Sequence, residues 1–167
     1  STRFPAGNAA RKAEKEHLMT EAHSEELRFS ACGREWSLRR ANLEALWEGM
    51  DDESGPLWKD WQADERLPYW AELWPSSLAL AAWLAEQKAA ITGRRCLDMG
   101  CGLGFSALVG RWLGAEVIGM DYDAEALRYA KVNATLNAID GVEWQCMDWR
   151  EPALPEKSID IIWAGDI

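Results

Sequence analysis

Two hydrophobic rhythms divide this chain. Up to residue 66 the pattern predicts a helix over roughly Ala9–Glu26. Leu27-Arg28-Phe29-Ser30 and Glu35-Trp36-Ser37-Leu38 then alternate at period two around Cys32-Gly33, the signature of a β-hairpin. A short helix is expected over about Ala41–Met50, and Asp51-Asp52-Glu53-Ser54-Gly55-Pro56 breaks the pattern as a solvated acidic linker. From Leu67 the character changes. Pro75-Ser76-Ser77 opens a helix, with a serine expected as its N-cap, that continues through Leu78, Ala81, Ala82 and Leu84. After Gly93 strands and helices alternate: strand Arg95–Met99, helix Phe105–Leu113, strand Ala115–Met120, helix Asp123–Asn137 with Asp123 as N-cap, strand Val142–Met147 and strand Ser158–Ala164. Such alternation predicts an α/β fold with a parallel sheet and right-handed crossovers. The last strand is nearly continuously apolar, so cover on both faces and neighbours on both edges are expected. The organisation read from these patterns is an N-terminal extension, residues 1–66, followed by a core, residues 67–167.

Composition narrows the class. Of 167 residues, 48% are hydrophobic and 28% charged, the balance of a globular chain. The net charge of −10 disfavours a general phosphate-binding surface, because non-specific nucleic-acid affinity rests on Lys and Arg. The longest apolar run, Leu78–Ala85, falls far short of the roughly 18 residues that a membrane span needs. Cys32, Cys96, Cys101 and Cys146 form no C-x-x-C pair and the chain has two histidines, so neither a metal site nor a disulfide framework is indicated. A soluble, reduced, cytoplasmic protein is the economical expectation. Asn133-Ala134-Thr135 matches a glycosylation sequon but sits in a helical pattern, where it is read as incidental. Eleven Trp against three Phe and three Tyr is the odd figure.

The most informative segment is Leu97-Asp98-Met99-Gly100-Cys101-Gly102-Leu103-Gly104-Phe105, where a strand hands over to a helix. Glycines let the backbone turn sharply and approach a ligand, and a helix N-terminus offers free N–H groups. Asp121, at the end of the next strand, stands where a carboxylate can accept hydrogen bonds from ribose hydroxyls. The dinucleotide fingerprint fails because Phe105 replaces the third glycine, and no triphosphate-binding G-x-x-x-x-G-K-[ST] motif exists. Asp98, just before the loop, suits a ligand that carries an ammonium group. The competing plain reading is a tight turn beside ordinary surface acids.

These residues resemble the first motif and the acidic ribose site of class I (seven-β-strand) S-adenosylmethionine-dependent methyltransferases. The resemblance covers residues 67–167 and implies a Rossmann-like three-layer sandwich binding S-adenosyl-L-methionine, here truncated after strand four of seven. It assigns the cofactor to the loop residues Asp98, Gly100, Cys101, Gly102 and Gly104. Asp121 serves the ribose, Asp148 and Trp149 the adenine side, and Tyr122 is a further cofactor-binding residue. Asp160-Ile161-Ile162-Trp163-Ala164-Gly165-Asp166 matches the fourth strand and the loop facing the transferred methyl, which makes Asp166 the catalytic candidate for orienting the acceptor. Pro68-Tyr69-Trp70-Ala71-Glu72-Leu73-Trp74-Pro75-Ser76-Ser77, joined to Gly165-Asp166, resembles the protein lysine methyltransferase branch, particularly enzymes acting on the electron-transfer flavoprotein β subunit and their bacterial relatives. By that likeness Trp74 is the first aromatic candidate for cofactor contact and Trp70 the second. The implied partner is a protein presenting a lysine. The alternatives are a small-molecule acceptor and a non-catalytic module that keeps the nucleotide fold. Gly165-Asp166-Ile167 departs from the [DNS]-P-P-[YFW] of enzymes acting on nucleic-acid amines, so no nucleic-acid partner is expected, and no membrane partner either. Acidic residues between 51 and 66 suit either a basic peptide or a solvated linker.

Overall fold

A computed structural model describes residues 24–51, 53–55, 58–59, 61–62 and 67–165. The helix expected over Ala9–Glu26 falls outside this range except at its last three residues, which are extended instead. They begin strand β1, Ser24–Ala31, which pairs with β2, Arg34–Ala41. The hairpin turns on Cys32 and Gly33, whose φ values of 54° and 76° place both central residues in the left-handed region. Two such residues match the right-handed twist of the flanking strands.

The chain divides into two compact units. One includes residues 40–69 and the other residues 26–39 together with 70–167. In the first, helix α1, Leu43–Asp51, starts under Asn42, whose Oδ1 accepts from the Ala45 N–H at 2.9 Å. The Trp58 and Trp61 rings lie 4.8 Å apart.

The second unit holds the sheet. Helices α2 (Pro75–Glu86) and α3 (Lys88–Ile91) precede β3 (Arg95–Met99). Helix α4 (Phe105–Trp112), β4 (Glu116–Asp121), α5 (Ala124–Leu136), β5 (Glu143–Cys146) and β6 (Ile161–Ala164) follow. The strand order is β5-β4-β3-β6 and every pairing is parallel. This is the parallel α/β arrangement that the alternation predicts and the Rossmann-like one that the resemblance implies, with the chain reversing its direction of travel at β3. Asp123 caps α5 as expected, accepting from the Glu125 N–H at 2.8 Å.

Three local expectations need correction. The N-cap of α2 is Trp74, and no side chain caps it. Pro75, with φ already set for a helix and no N–H to satisfy, takes the first helical position, so Ser76 falls inside the first turn. Its hydroxyl is buried without a hydrogen-bond partner. Strand β6 begins only at Ile161, because the Asp160 side chain accepts from the Arg95 N–H at 2.9 Å where the ladder would otherwise extend. Finally, β6 is bonded on one edge only among the described residues, and Ile162 is 59% exposed.

The last point reflects an asymmetry of the whole sheet. Side chains alternate across a strand, so Cys96 and Val117 face one side while Leu97 and Ile118 face the other. The first side carries the main core, built with Ala81 and Leu84 of α2, Leu108 and Val109 of α4, and Ala134 of α5. The second side carries Leu97, Ile118 and Met120, packed by Met147, Leu154 and Ile159 from the segment after β5. Among the described residues, then, helices contribute to the core on one face only. None of them is long and apolar enough to cross a membrane.

The hairpin belongs to that same core. Trp36 and Leu38 are fully buried, and the Trp36 and Phe29 rings meet Phe105 edge-on, each with centroids 5.2 Å away. Two further tryptophans are accommodated by glycines. A Cβ on Gly110 would lie 2.7 Å from the Trp163 ring, and a Cβ on Gly119 would collide with Trp144, its partner in the β4–β5 register. An alanine inside a helix ordinarily gains ~1 kcal/mol over glycine. At Gly110 the rigid indole reverses the sign: Gly110→Ala is expected to cost ~1–3 kcal/mol through overpacking. Thermal unfolding should show a lower Tm for Gly110→Ala, partly restored in the Gly110→Ala, Trp163→Phe double variant.

Candidate functional site

The turn between β3 and α4 places three glycines in left-handed conformations in alternation, with φ of 68° at Gly100, 50° at Gly102 and 82° at Gly104. Side-chain-bearing residues adopt such angles at a cost, and three in five positions would be prohibitive. The turn is pinned from within, the Gly104 N–H donating to the Cys101 carbonyl at 2.8 Å. It is pinned from the sheet as well, the Cys101 N–H donating to the Met120 carbonyl at 2.8 Å. Gly104 is fixed by space too, because a Cβ there would lie 2.8 Å from Ala130 and 2.9 Å from Trp144. The turn lies at the carboxyl end of the sheet, where open α/β folds bind ligands.

Two buried carboxylates flank it. Asp98 is 1% exposed, sits beside Gly119 and Trp163 in the ladder, and faces the helical side. Its Oδ2 accepts from the Ser106 hydroxyl at 2.7 Å, and the Ala107 N–H also supports its charged form. Helix α4 has no side-chain cap at Gly104, so a carboxylate from the neighbouring strand meets its first turn. The Trp163 indole N–H lies toward Asp98 and favours its charge without making a hydrogen bond of normal geometry. Burial outweighs these partners and pushes the Asp98 carboxyl up to about 7. Asp121 is 5% exposed; its Oδ2 accepts from the Gly102 N–H and its Oδ1 from the Asp123 N–H, both at 2.9 Å. Burial again dominates and raises its carboxyl, against the backbone donors that lower it. Cys101, enclosed beside both acids, is raised well above the usual thiol range by burial first and their charges second.

The structure brings Asp98, the glycine turn and Asp121 together, as their order along β3 and β4 implies. Tyr122 and Trp149 join them from the β4 and β5 exits, their rings meeting edge-on at 6.4 Å, while the Met147 N–H donates to the Asp121 carbonyl. Asp148 is gripped by Arg150, whose guanidinium and backbone N–H both donate to its carboxylate. Trp74 stands half-buried at the start of α2. Trp70 comes to the turn through its backbone: its carbonyl oxygen lies 3.4 Å from where a Gly102 Cβ would be, and its ring packs on Tyr129 at 5.4 Å. Asp166 lies outside the described residues.

Sequence reasoning passed over several contributors. The Ser106 hydroxyl holds Asp98, and Trp144 backs Gly104. Ser76 has an unpartnered buried hydroxyl near the end of β6, 3.8 Å from a Cβ position on Gly165. The one available signal was the i, i+8 spacing of Asp98 and Ser106 across a strand–helix turn.

Comparison with known proteins gives the site a context. Residues 96–167 match the family described as Methyltransferase domain. Over 71 residues the chain is 44% identical to the electron transfer flavoprotein beta subunit lysine methyltransferase of Danio rerio, covering 42% of this chain and 28% of that protein. Over 103 residues it is 32% identical to the ribosomal protein L11 methyltransferase of Pseudomonas aeruginosa, covering 61% of this chain and 34% of that one. The chain thus spans about a third of the length of these relatives. Among solved structures, the T. thermophilus 16S rRNA N2 G1207 methyltransferase, determined in complex with AdoMet and guanosine, superposes with a TM-score of 0.60. It is 21% identical, with 85% of this chain and 32% of that one covered, a likeness of fold.

Asp98 gives the site a pH signature. Its folded carboxyl titrates at about 7, above the ordinary 3.8, so the native state holds a proton that the unfolded chain has released. Stability therefore falls as pH rises from about 4 to about 7, and levels off above. Asp98→Asn keeps an acceptor for Ser106 and removes the titration. Its Tm, measured across pH 4–8, should gain on the wild type with rising pH up to about 7 and then run parallel to it.

Proposed function

We propose that this chain, whose residues 96–167 match the methyltransferase domain family, is part of an enzyme that binds S-adenosylmethionine at the β3–α4 turn and N-methylates a lysine of a protein. The single observation that carries the cofactor reading is the triple left-handed glycine turn held between two buried carboxylates. The residues fit that molecule chemically. Asp98 and Asp121 place two acids in a water-poor site that raises both carboxyls, and a ligand with ammonium and sulfonium groups would favour their charged forms there. When bound, the cofactor supplies an electrophilic methyl on its sulfonium.

The remaining work falls to the chain's own residues. The glycine turn lets backbone approach the ligand. Asp121, with lone pairs left after two backbone donors, accepts from the ribose hydroxyls. Tyr122, Asp148 and Trp149 enclose the adenine end. Trp70 and Trp74 wall the pocket from the α2 side. A lysine amine titrates ordinarily at about 10.4, so its neutral form must be favoured before its lone pair can react. Asp166, two residues beyond β6, orients that amine and accepts its proton. The protein acceptor is supported by the two relatives, whose names specify protein substrates, and by the acidic balance of the chain.

Calorimetric titration with S-adenosylhomocysteine tests the cofactor reading. Loss of a charge-assisted pair of ~1.5–3 kcal/mol should weaken binding by Asp121→Ala about 10- to 100-fold. Equal affinity for Asp121→Ala and wild type would remove the ribose assignment. Asp166→Ala should keep that affinity while kcat for methyl transfer falls. With methyl-labelled cofactor and a cell lysate, label is expected in protein lysine; label confined to the small-molecule fraction would replace the protein acceptor with a metabolite.

A further inference from the structure

We propose that Asn133 is a positioning residue that ties the β1–β2 hairpin to the glycine turn, making the hairpin part of the cofactor site. The inference rests on the cofactor reading above. Asn133 is fully buried in α5, with its Oδ1 and both Nδ2 hydrogens engaged. Its Oδ1 accepts from the Arg39 N–H at 2.6 Å, and its Nδ2 donates to the Arg39 carbonyl at 3.1 Å and to the Leu103 carbonyl at 3.0 Å. Leu103 is the residue between Gly102 and Gly104, so one carboxamide joins strand β2 to the apex of the turn.

A sister group makes the comparison possible. Asn137 treats Ser37 as Asn133 treats Arg39: its Oδ1 accepts from the Ser37 N–H at 3.1 Å and its Nδ2 donates to the Ser37 carbonyl at 2.7 Å. Its remaining donor goes to the Asn133 carbonyl, not to the turn. The two sites fit because four residues of helix rise about 6 Å and two residues of strand about 6.7 Å. Asn133 in the last turn of α5 and Asn137 at its C-cap therefore meet alternate residues of β2, and their carboxamides stand in for a missing strand along its outer edge. Both anchor the hairpin, and only Asn133 also holds the turn. Removing the Asn133 carboxamide would take that bond away from the Leu103 carbonyl.

The test compares Asn133→Ala with Asn137→Ala by calorimetric titration of S-adenosylhomocysteine at a temperature well below both Tm values. Both variants should lose Tm. Asn133→Ala should weaken binding at least tenfold, and Asn137→Ala should stay within twofold of wild type. Should Asn133→Ala fail to fold, Arg39→Pro and Ser37→Pro pose the same question from the strand, since each deletes the N–H that faces its asparagine and leaves the hairpin ladder intact. Arg39→Pro should then weaken binding and Ser37→Pro should not. Binding unchanged in the Asn133 or Arg39 variant, or weakened equally at both sites, would overturn the proposal. Wild type that fails to bind would instead overturn the cofactor reading on which it stands.

Discussion

A carboxylate buried at the end of β3 is the constraint around which this unit is arranged. Asp98 cannot be hydrated where it lies, and an isolated charge in such a place is expensive. The chain answers by starting α4 directly over it, so that Ser106 and the Ala107 N–H face the acid and the acid meets an otherwise uncapped helix end. For α4 to start there, the backbone must reverse within five residues, and that requires left-handed positions at Gly100, Gly102 and Gly104. The turn that results holds its amides toward the carboxyl end of the sheet. Asp121 takes one of them, from Gly102, which couples the second acid to the first through the same loop.

The excess of tryptophan has a structural account on this view. Trp36 carries the hairpin into the core against Phe105, Trp163 fills the space left by Gly110, and Trp144 fills that left by Gly119 and Gly104. Indoles paired with glycines pack densely and leave little room for adjustment. The arrangement fixes α4 from both sides, Trp163 at its middle and Trp144 at its start. Precise placement of α4 in turn fixes the glycine turn that opens it.

Strand β2 shows how a short sheet edge can be managed without a further strand. Its outer N–H and C=O groups at Ser37 and Arg39 are all taken by Asn133 and Asn137. An exposed edge of this kind would invite pairing with another chain. The same bonds dispose of the sequon at Asn133, whose amide is fully buried and fully engaged.

The alternation of strands and helices after Gly93, the hairpin at Cys32-Gly33, the glycine spacing and the acids before and after it were legible in the sequence. Each is a local property: period two or 3.6, a residue that tolerates positive φ, a carboxylate at a strand end. These determine that a parallel α/β sheet forms and where its glycine turn lies. Other features were not legible, because they depend on contacts between residues distant in sequence. That Asp98 serves α4 as much as any ligand follows from its partnership with Ser106. That Trp70 meets the turn by its backbone follows from its approach to Gly102. That residues 26–39 belong to the unit that holds the four-stranded sheet follows from bonds spanning about 100 residues to Asn133 and Asn137. Local pattern specifies which elements form, but only the folded chain decides which buried polar group satisfies which, and that pairing sets the shape of the site.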